Sequence, residues 1–395
     1  MLHKLLTRKR LVVIGLNSGT SADGLDLSAV RITLSVPKID GKFLAGKTVP
    51  YPKAIQSQLT DAINNRISSI DELVMLDRQL GRFFGEQAKR FAHILKEKGL
   101  KPHLVASHGQ TVRHLPGRIT FGKKKESGTL QLGHPESIAH RTGLVTVADF
   151  RQANIASGGE GAPITSRAMW HLFSSDREDR MIINIGGIAN YFLLPRRRSA
   201  GQMLAADCGP GNSLLDIIAR RCFGRQYDRN GRLASKGWIS KRLLSMLLAD
   251  NYLKGKYGPS TGRERFGEKF VDKTFKMSAG LGLSKHDILA TATELTAVSI
   301  ARSIRRHLEK LNLSTLYLFG GGLRNQYLIE RLSSNLPGVK LFSIDRLGFD
   351  PHYLEAVCYA IMGVMTIYSI PTGLPNVTGA AERTIAGRIV QPPQE

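Results

Sequence analysis

The chain has 395 residues, 42% apolar and 22% charged, a composition that excludes wholesale disorder and a length that suits two to three domains with at least one sizeable core. Its three cysteines, Cys208, Cys222 and Cys358, are too few for a disulfide framework and lack zinc-like spacing, and no apolar run reaches the roughly 18 residues of a membrane span. Lys and Arg number 56 against 32 Asp and Glu, a formal charge of +24 that suits anionic surroundings; the basic residues are scattered, with small knots at 8–10, 123–125 and 196–198 and no aromatics between them, so a solvated basic surface is expected rather than a nucleic-acid site.

Residues 1–10 are basic, and the apolar run 11–16 that follows is too short for a signal-peptide core, so a cytoplasmic protein is expected. Residues 11–16 read as a strand that enters the turn 17–24, and residues 25–36 read as its return. The pair makes a hairpin whose glycines supply positive φ and let a ligand approach the backbone. A long helix is expected over 70–98, then a strand over 104–106 ending in a polar turn at 107–110. His108 sits there, and a lone His at a strand end is more often structural than catalytic. Residues 144–148 form a strand that gives out at Asp149. In α/β sheets that end of a strand faces the ligand crevice, which makes Asp149 the candidate general base. The same residue would equally suit capping a following helix or pairing with Arg151. The glycine-rich turn 156–163 is flexible enough to wrap a substrate.

The strand-then-glycine theme returns at 181–190, 203–212 and 315–325. Short continuous apolar runs of this kind suit strands buried on both faces. Ser284 followed by Asp287 predicts a capped helix over 284–311. Another helix is expected over 353–368, with Glu355 in its first turn, where a helix N-terminus favours a carboxylate. Alternating strands and helices predict an α/β architecture. The expected organisation is an N-terminal lobe over 1–165, a C-terminal lobe over 166–350, and a helix and tail over 351–395 returning to the first lobe. A ligand cleft is expected between the lobes.

No Lys-bearing phosphate loop and no supported dinucleotide fingerprint is present. Four separate glycine turns can instead aim bare backbone N–H groups at an anion. Ser18, Thr20 and Ser21 would add hydroxyls. Asp23, Asp26 and Asp207 could hold a hard cation, since Mg²⁺ prefers carboxylate and phosphate oxygens. Arg263 would hold an anionic group or lie on a surface turn.

Ordered motifs along nearly the whole chain carry a family resemblance: Ser-Gly-Thr-Ser-Ala-Asp-Gly-Leu-Asp (18–26), Ser-His-Gly-Gln-Thr-Val (107–112), Ala-Asp-Phe-Arg (148–151), Gly-Gly-Glu-Gly-Ala-Pro (158–163), Asn-Ile-Gly-Gly-Ile-Ala-Asn (184–190), Asp-Cys-Gly-Pro-Gly-Asn (207–212) and Gly-Gly-Gly-Leu-Arg-Asn (320–325). Together they resemble the anhydro-N-acetylmuramic acid kinases of the acetate and sugar kinase, chaperone ATPase and actin superfamily. The resemblance implies a two-lobed, actin-like α/β fold with a central cleft that binds ATP and Mg²⁺. It implies that Ser18, Gly19, Thr20, Ser21, Asp23 and Gly24, with Asp207, Gly209, Gly211 and Asn212, grip the phosphates. Gly320, Gly321, Gly322 and Asn325 would lie by the adenosine, and Asp23 and Asp207 would hold the metal. His108, Gln110, Arg151, Gly161 and Glu355 would contact the sugar, and Asp149 would deprotonate the water that attacks it. The implied reaction opens a 1,6-anhydro ring and phosphorylates O6, and the implied assembly is a homodimer binding neither nucleic acid nor membrane.

Asn17, His134, Asn154, Glu160 and Cys208 depart from the family pattern, where Met, an acidic residue, Asp, Gln and Thr are usual. The departures near 154–160 keep a second anhydro sugar, levoglucosan, and a non-catalytic ATP-binding protein as alternatives.

Overall fold

The computed structural model of the chain describes residues 1–19, 22–35, 38–121, 124–196, 200–254, 261 and 263–393. In chain order its strands are β1 (Arg10–Ser18), β2 (Gly24–Ser35), β3 (Lys38–Pro50), β4 (Leu104–Phe121), β5 (Lys124–Leu132), β6 (Val145–Ala148), β7 (Arg180–Ile185), β8 (Ile188–Leu194), β9 (Leu204–Pro210), β10 (Thr315–Phe319), β11 (Lys340–Ser343) and β12 (Arg388–Val390). The helices that matter here are α1 (Ile70–Glu97), α2 (Pro135–Thr142), α3 (Ser166–Phe173), α4 (Asn212–Phe223), α5 (Lys285–Leu311), α6 (Gln326–Asn335) and α7 (Leu354–Ile367). The chain is α/β and divides into two compact units, one of residues 1–173 with 348–395 and one of residues 174–347. Among the described residues no helix is long and apolar enough to cross a membrane.

The first unit is built on a sheet ordered β12-β6-β4-β1-β2-β3, with β5 paired to β4. β1 and β2 form the expected antiparallel hairpin, while β1, β4 and β6 run parallel. Strand alternation assigns the two faces. Ile14 and Leu16 join the core that α1 covers with Leu80, Phe84 and Ala88. Gly15, between them, faces α7: a Cβ there would stand 1.9 Å from the carbonyl oxygen of Ala356. α7 is buried at every position except Glu355, as an all-apolar helix must be. α1 starts where the Ser69 side chain accepts a hydrogen bond from the Glu72 N–H, and its buried residues 76, 80, 84, 88 and 95 recur near helical spacing.

The second unit has a sheet ordered β11-β10-β7-β8-β9. α5 is its core helix. The Ser284 hydroxyl accepts from Asp287 N–H at 3.2 Å and the Asp287 carboxylate accepts from Ser284 N–H at 2.9 Å, a reciprocal cap that closes two free donors.

Two expected turns prove to be strand. Residues 107–110 do not end β4, which runs on to Phe121 because β5 folds back against it as a ribbon. Asp207 and Gly209 lie within β9, opposite Asn190 and Ala189 of β8.

Candidate active site

Because β1, β4 and β6 are parallel neighbours, their carboxyl ends come together, with Leu16 opposite Ser107, Ser18 opposite Gln110, and Ala106 opposite Val147. Asp149 follows β6 directly, at φ 59°, a left-handed conformation uncommon outside glycine. Neither structural alternative for its side chain applies. The carboxylate, 33% exposed, meets Arg388 Nε at 3.1 Å, while Arg151 points elsewhere. Arg388 reaches it because β12 pairs antiparallel with β6, setting Arg388 opposite Ala148.

The Asp149 carboxylate forms one wall of a pocket of about 100 Å³, with Asp77, Ser107, His108, His134 and Arg388 around it. Burial pushes the Asp149 carboxyl above its ordinary range; the Arg388 guanidinium opposes that rise, and Glu136 and Asp77 add to it. His108 is fully buried and held neutral, first by burial and then by the Arg151 charge. Its Nε2 accepts from Arg151 Nε at 3.0 Å, so Nδ1 carries the ring proton. Both that Nδ1 and the Ser107 hydroxyl oxygen are buried without a partner. The pocket therefore joins a half-buried carboxylate to two unspent hydrogen-bonding groups, a lining that suits a polar ligand rich in hydroxyls.

The other residues expected at the sugar divide. Arg151 also donates from Nη1 to the Gly161 carbonyl at 2.6 Å, tying His108 to the 158–163 turn. Gly161 takes φ 71°, and its N–H donates to Asn154 Oδ1 at 2.8 Å. Gln110 is fully buried and does not line the pocket. Its Oε1 accepts from Ser18 Oγ at 2.5 Å and its Nε2 donates to the Gly19 carbonyl at 3.3 Å, bracing the first glycine turn. Tyr51 completes that brace, donating to Ser18 Oγ at 2.7 Å. Glu355 accepts from Asn17 Nδ2 at 2.9 Å. Asp23 is exposed, whereas Asp26 is engaged by Thr48 Oγ1 at 2.6 Å and His352 at 3.2 Å. Thr20, Ser21 and the side chain of Arg263 lie outside the described residues.

In the second unit the glycine turns close on one another. The carbonyl oxygen of Gly186 accepts from Asn212 N–H at 2.8 Å, and that of Gly187 accepts from Gly211 and Ser213 N–H, each at 3.1 Å. These donors, expected to be bare for phosphate, are spent within the protein. Gly320, at φ 89°, packs where a Cβ would lie 2.4 Å from Asn184 Oδ1, and Gly322 packs on Ile185. Asn212 Nδ2 donates to the Ile185 carbonyl at 3.1 Å, and Asn325 caps α6 by accepting from Leu328 N–H at 3.0 Å. The buried Asp207 carboxylate accepts from Thr261 N–H at 2.7 Å. Beside it, the Thr261 hydroxyl is buried without a partner, as is Oδ1 of Asn190, the residue opposite Asp207.

The departures from the family pattern find local explanations. His134 caps α2 by accepting from Ser137 N–H at 3.2 Å, a role an acidic residue also fills. Asn154 is fully buried and joins Gly161 to Thr378, donating from Nδ2 to Thr378 Oγ1 at 2.7 Å. Cys208 packs in the apolar core of the second unit. Sequence reasoning missed Ser107, Asp77 and Arg388 as pocket residues. Asp77 reads as solvent-facing helix, and it accepts from the N–H groups of Gly133 and His134 at 2.7 and 3.1 Å. Arg388 carries no signal at all beyond its position in the tail.

Comparison with known proteins places the chain among the sugar kinases. A family model described as Anhydro-N-acetylmuramic acid kinase matches residues 11–392, and the chain belongs to that family. It is similar to the anhydro-N-acetylmuramic acid kinases of Caldanaerobacter subterraneus subsp. tengcongensis (34% identity over 98% of this chain and 99% of that one) and Trichormus variabilis (37% over 96% and 97%). The same holds for that of Coxiella burnetii (36% over 95% and 96%). Among solved structures, a ROK family glucokinase from Streptomyces griseus in complex with glucose and AMPPNP aligns over 90% of this chain and 99% of that one, at 11% identity and a TM-score of 0.36.

Proposed function

We propose that this chain is an ATP-dependent kinase that opens the 1,6-anhydro ring of anhydro-N-acetylmuramic acid and phosphorylates O6, giving N-acetylmuramic acid 6-phosphate in the recycling of cell-wall fragments. The observation that carries the site assignment is Asp149: a half-buried carboxylate with a raised pKa, at the end of a parallel strand, on the wall of a polar pocket. It takes a proton from a water, whose oxygen bonds to the anomeric carbon. The C1–O6 bond breaks, and O6 accepts the γ-phosphoryl group of ATP as ADP departs. A base of this kind contributes about 10²–10⁴ in rate. The raised pKa makes Asp149 a stronger base than an ordinary aspartate, and the Arg388 charge opposes that rise. His108 Nδ1–H and the Ser107 hydroxyl would hold sugar oxygens, and Arg151 would keep His108 in the donating tautomer.

For ATP the candidate segments are the turn at 18–24 in the first unit and those at 207–212 and 320–325 in the second, where contacts would come from groups other than the Gly211, Asn212 and Ser213 N–H donors already spent on the Gly186 and Gly187 carbonyls. Mg²⁺ would supply charge neutralisation at the phosphates, with Asp23 and Asp207 as its carboxylates. Among the described residues no group of three or more His, Cys, Asp or Glu gathers as a self-sufficient metal site. We also place the protein in the cytoplasm, as a homodimer; light scattering at twice the 43.4 kDa chain mass tests the dimer. The activity is tested by ADP release with the anhydromuramic sugar and, in parallel, with levoglucosan. Release with the first at least tenfold above the second supports the assignment, and release with neither overturns it.

A further inference from the structure

α3, none of whose residues lines the Asp149 pocket, carries a cluster that this reaction does not use. Arg167, Trp170 and His171 stand at helical spacing on one side of the helix. The Arg167 guanidinium carbon lies 5.2 Å from the centre of the Trp170 ring, and the Trp170 and His171 rings are 5.0 Å apart, edge to face. His171, 1% exposed, accepts from Ile39 N–H through Nδ1 at 3.1 Å. Burial drives its pKa down to about 3, so the ring is neutral and its single proton sits on Nε2. Arg167 Nε, Trp170 Nε1 and His171 Nε2 are therefore three N–H donors, and all three are buried without a partner. Arg167 forms no ion pair among the described residues. The charges that act on Arg167 and His171 are those of Arg383 and Lys38.

Buried donors without acceptors are rare in folded proteins, since each leaves its desolvation unrecovered. Three on one helix face, with Arg383 and Lys38 acting on two of them, lack an acceptor that brings negative charge and several oxygens. We infer that the Arg167–Trp170–His171 face of α3, with the exposed Arg383 acting on it through its charge, binds a small oxyanion of the phosphate class. A phosphate offers enough acceptor oxygens for all three donors, and charge-assisted bonds to a guanidinium are the stronger kind. The inference is independent of the Asp149 site, because none of these residues lines that pocket.

The chain's two tryptophans make the test direct. Trp238 is 85% exposed, so the Trp238→Phe variant of the full chain leaves Trp170 as the sole indole reporter. In that variant, orthophosphate titrated at fixed ionic strength is expected to change Trp170 emission saturably, while chloride leaves it flat. Glycerol phosphate distinguishes the source of the group. A matching response supports a site that reads the phosphate of an ester, and a response to orthophosphate alone supports a site for the free anion. Adding Arg167→Gln should weaken the midpoint at least tenfold. Arg383→Gln, on an exposed residue, should weaken it severalfold. A response that does not saturate, that chloride reproduces, or that survives unchanged in Arg383→Gln and in a folded Arg167→Gln protein overturns the inference.

Discussion

Where β4 passes the carboxyl ends of β1 and β6, side chains line a space. At the carboxyl ends of β7 and β10, backbone groups close on one another. Both regions use the same material, short apolar strands that run out into glycine and small polar residues. In the first unit the strand ends project Ser107, His108 and Asp149 into a pocket, and buried donors there are left unspent. In the second unit Gly186 and Gly187 take up the N–H groups of residues 211–213, and no room is left for a Cβ at Gly211 or Gly320. Chemistry thus rests on side chains in one region, and shape rests on main chain in the other. Substitutions should separate the two.

The largest expected effect is at the base. Asp149→Asn should lower kcat/KM about 10³-fold, within the range of general-base contributions, while calorimetric titration finds nucleotide binding unchanged; near-normal turnover would remove Asp149 from its role. Next comes the second unit. Gly320→Ala forces a Cβ into a left-handed position 2.8 Å from the Ile185 carbonyl oxygen and should cost about 1–3 kcal/mol of stability. Thermal melting would show this, together with weaker nucleotide binding and an unmoved pH profile. A pH profile that moved with it would blur the division between the regions. Asn154→Asp restores the residue usual in the family but removes the donor to Thr378 Oγ1 inside a fully buried pair. It should destabilise the first unit by about 1–3 kcal/mol, measured by denaturant unfolding.

The smallest effect is at Arg388, whose charge lowers the Asp149 pKa against the upward pull of burial. With Arg388→Gln that pKa rises further. The carboxylate then becomes protonated at a higher pH as the solution is acidified, so the acid limb of kcat/KM moves upward. Stability should change by less than about 1 kcal/mol, because the guanidinium is 53% exposed. A limb that stays in place would mean that Asp149 is not the group titrating.

Much of the framework was legible residue by residue. The helices at 70–97 and 285–311 follow from apolar spacing, the second with Ser284 as its cap, and the β1–β2 hairpin follows from two apolar runs around a glycine turn. Asp149 stood out because a charged residue ended an apolar strand. The pocket was only half legible. Ser107 sat unremarked beside His108, and Asp77 looked like one more polar residue on an amphipathic helix. Gln110, expected at the sugar, braces the Ser18 turn instead, because the β1–β4 register buries it.

By itself the sequence determined the alternation of strands and helices, the caps, and the positions where only glycine tolerates the backbone. These depend on residues a few positions apart, whose sterics and hydrogen bonds act within one turn or one hairpin. The tertiary structure decided which distant groups meet. It set Arg388 against Asp149, 239 positions away, through the β12–β6 pairing, and Asn17 against Glu355 through the seating of α7 on Gly15. Such encounters depend on sheet order and on which face each helix covers, and so do the charge and proton affinity of the carboxylate at the pocket wall, since burial and neighbouring charge exist only once the chain has folded around it.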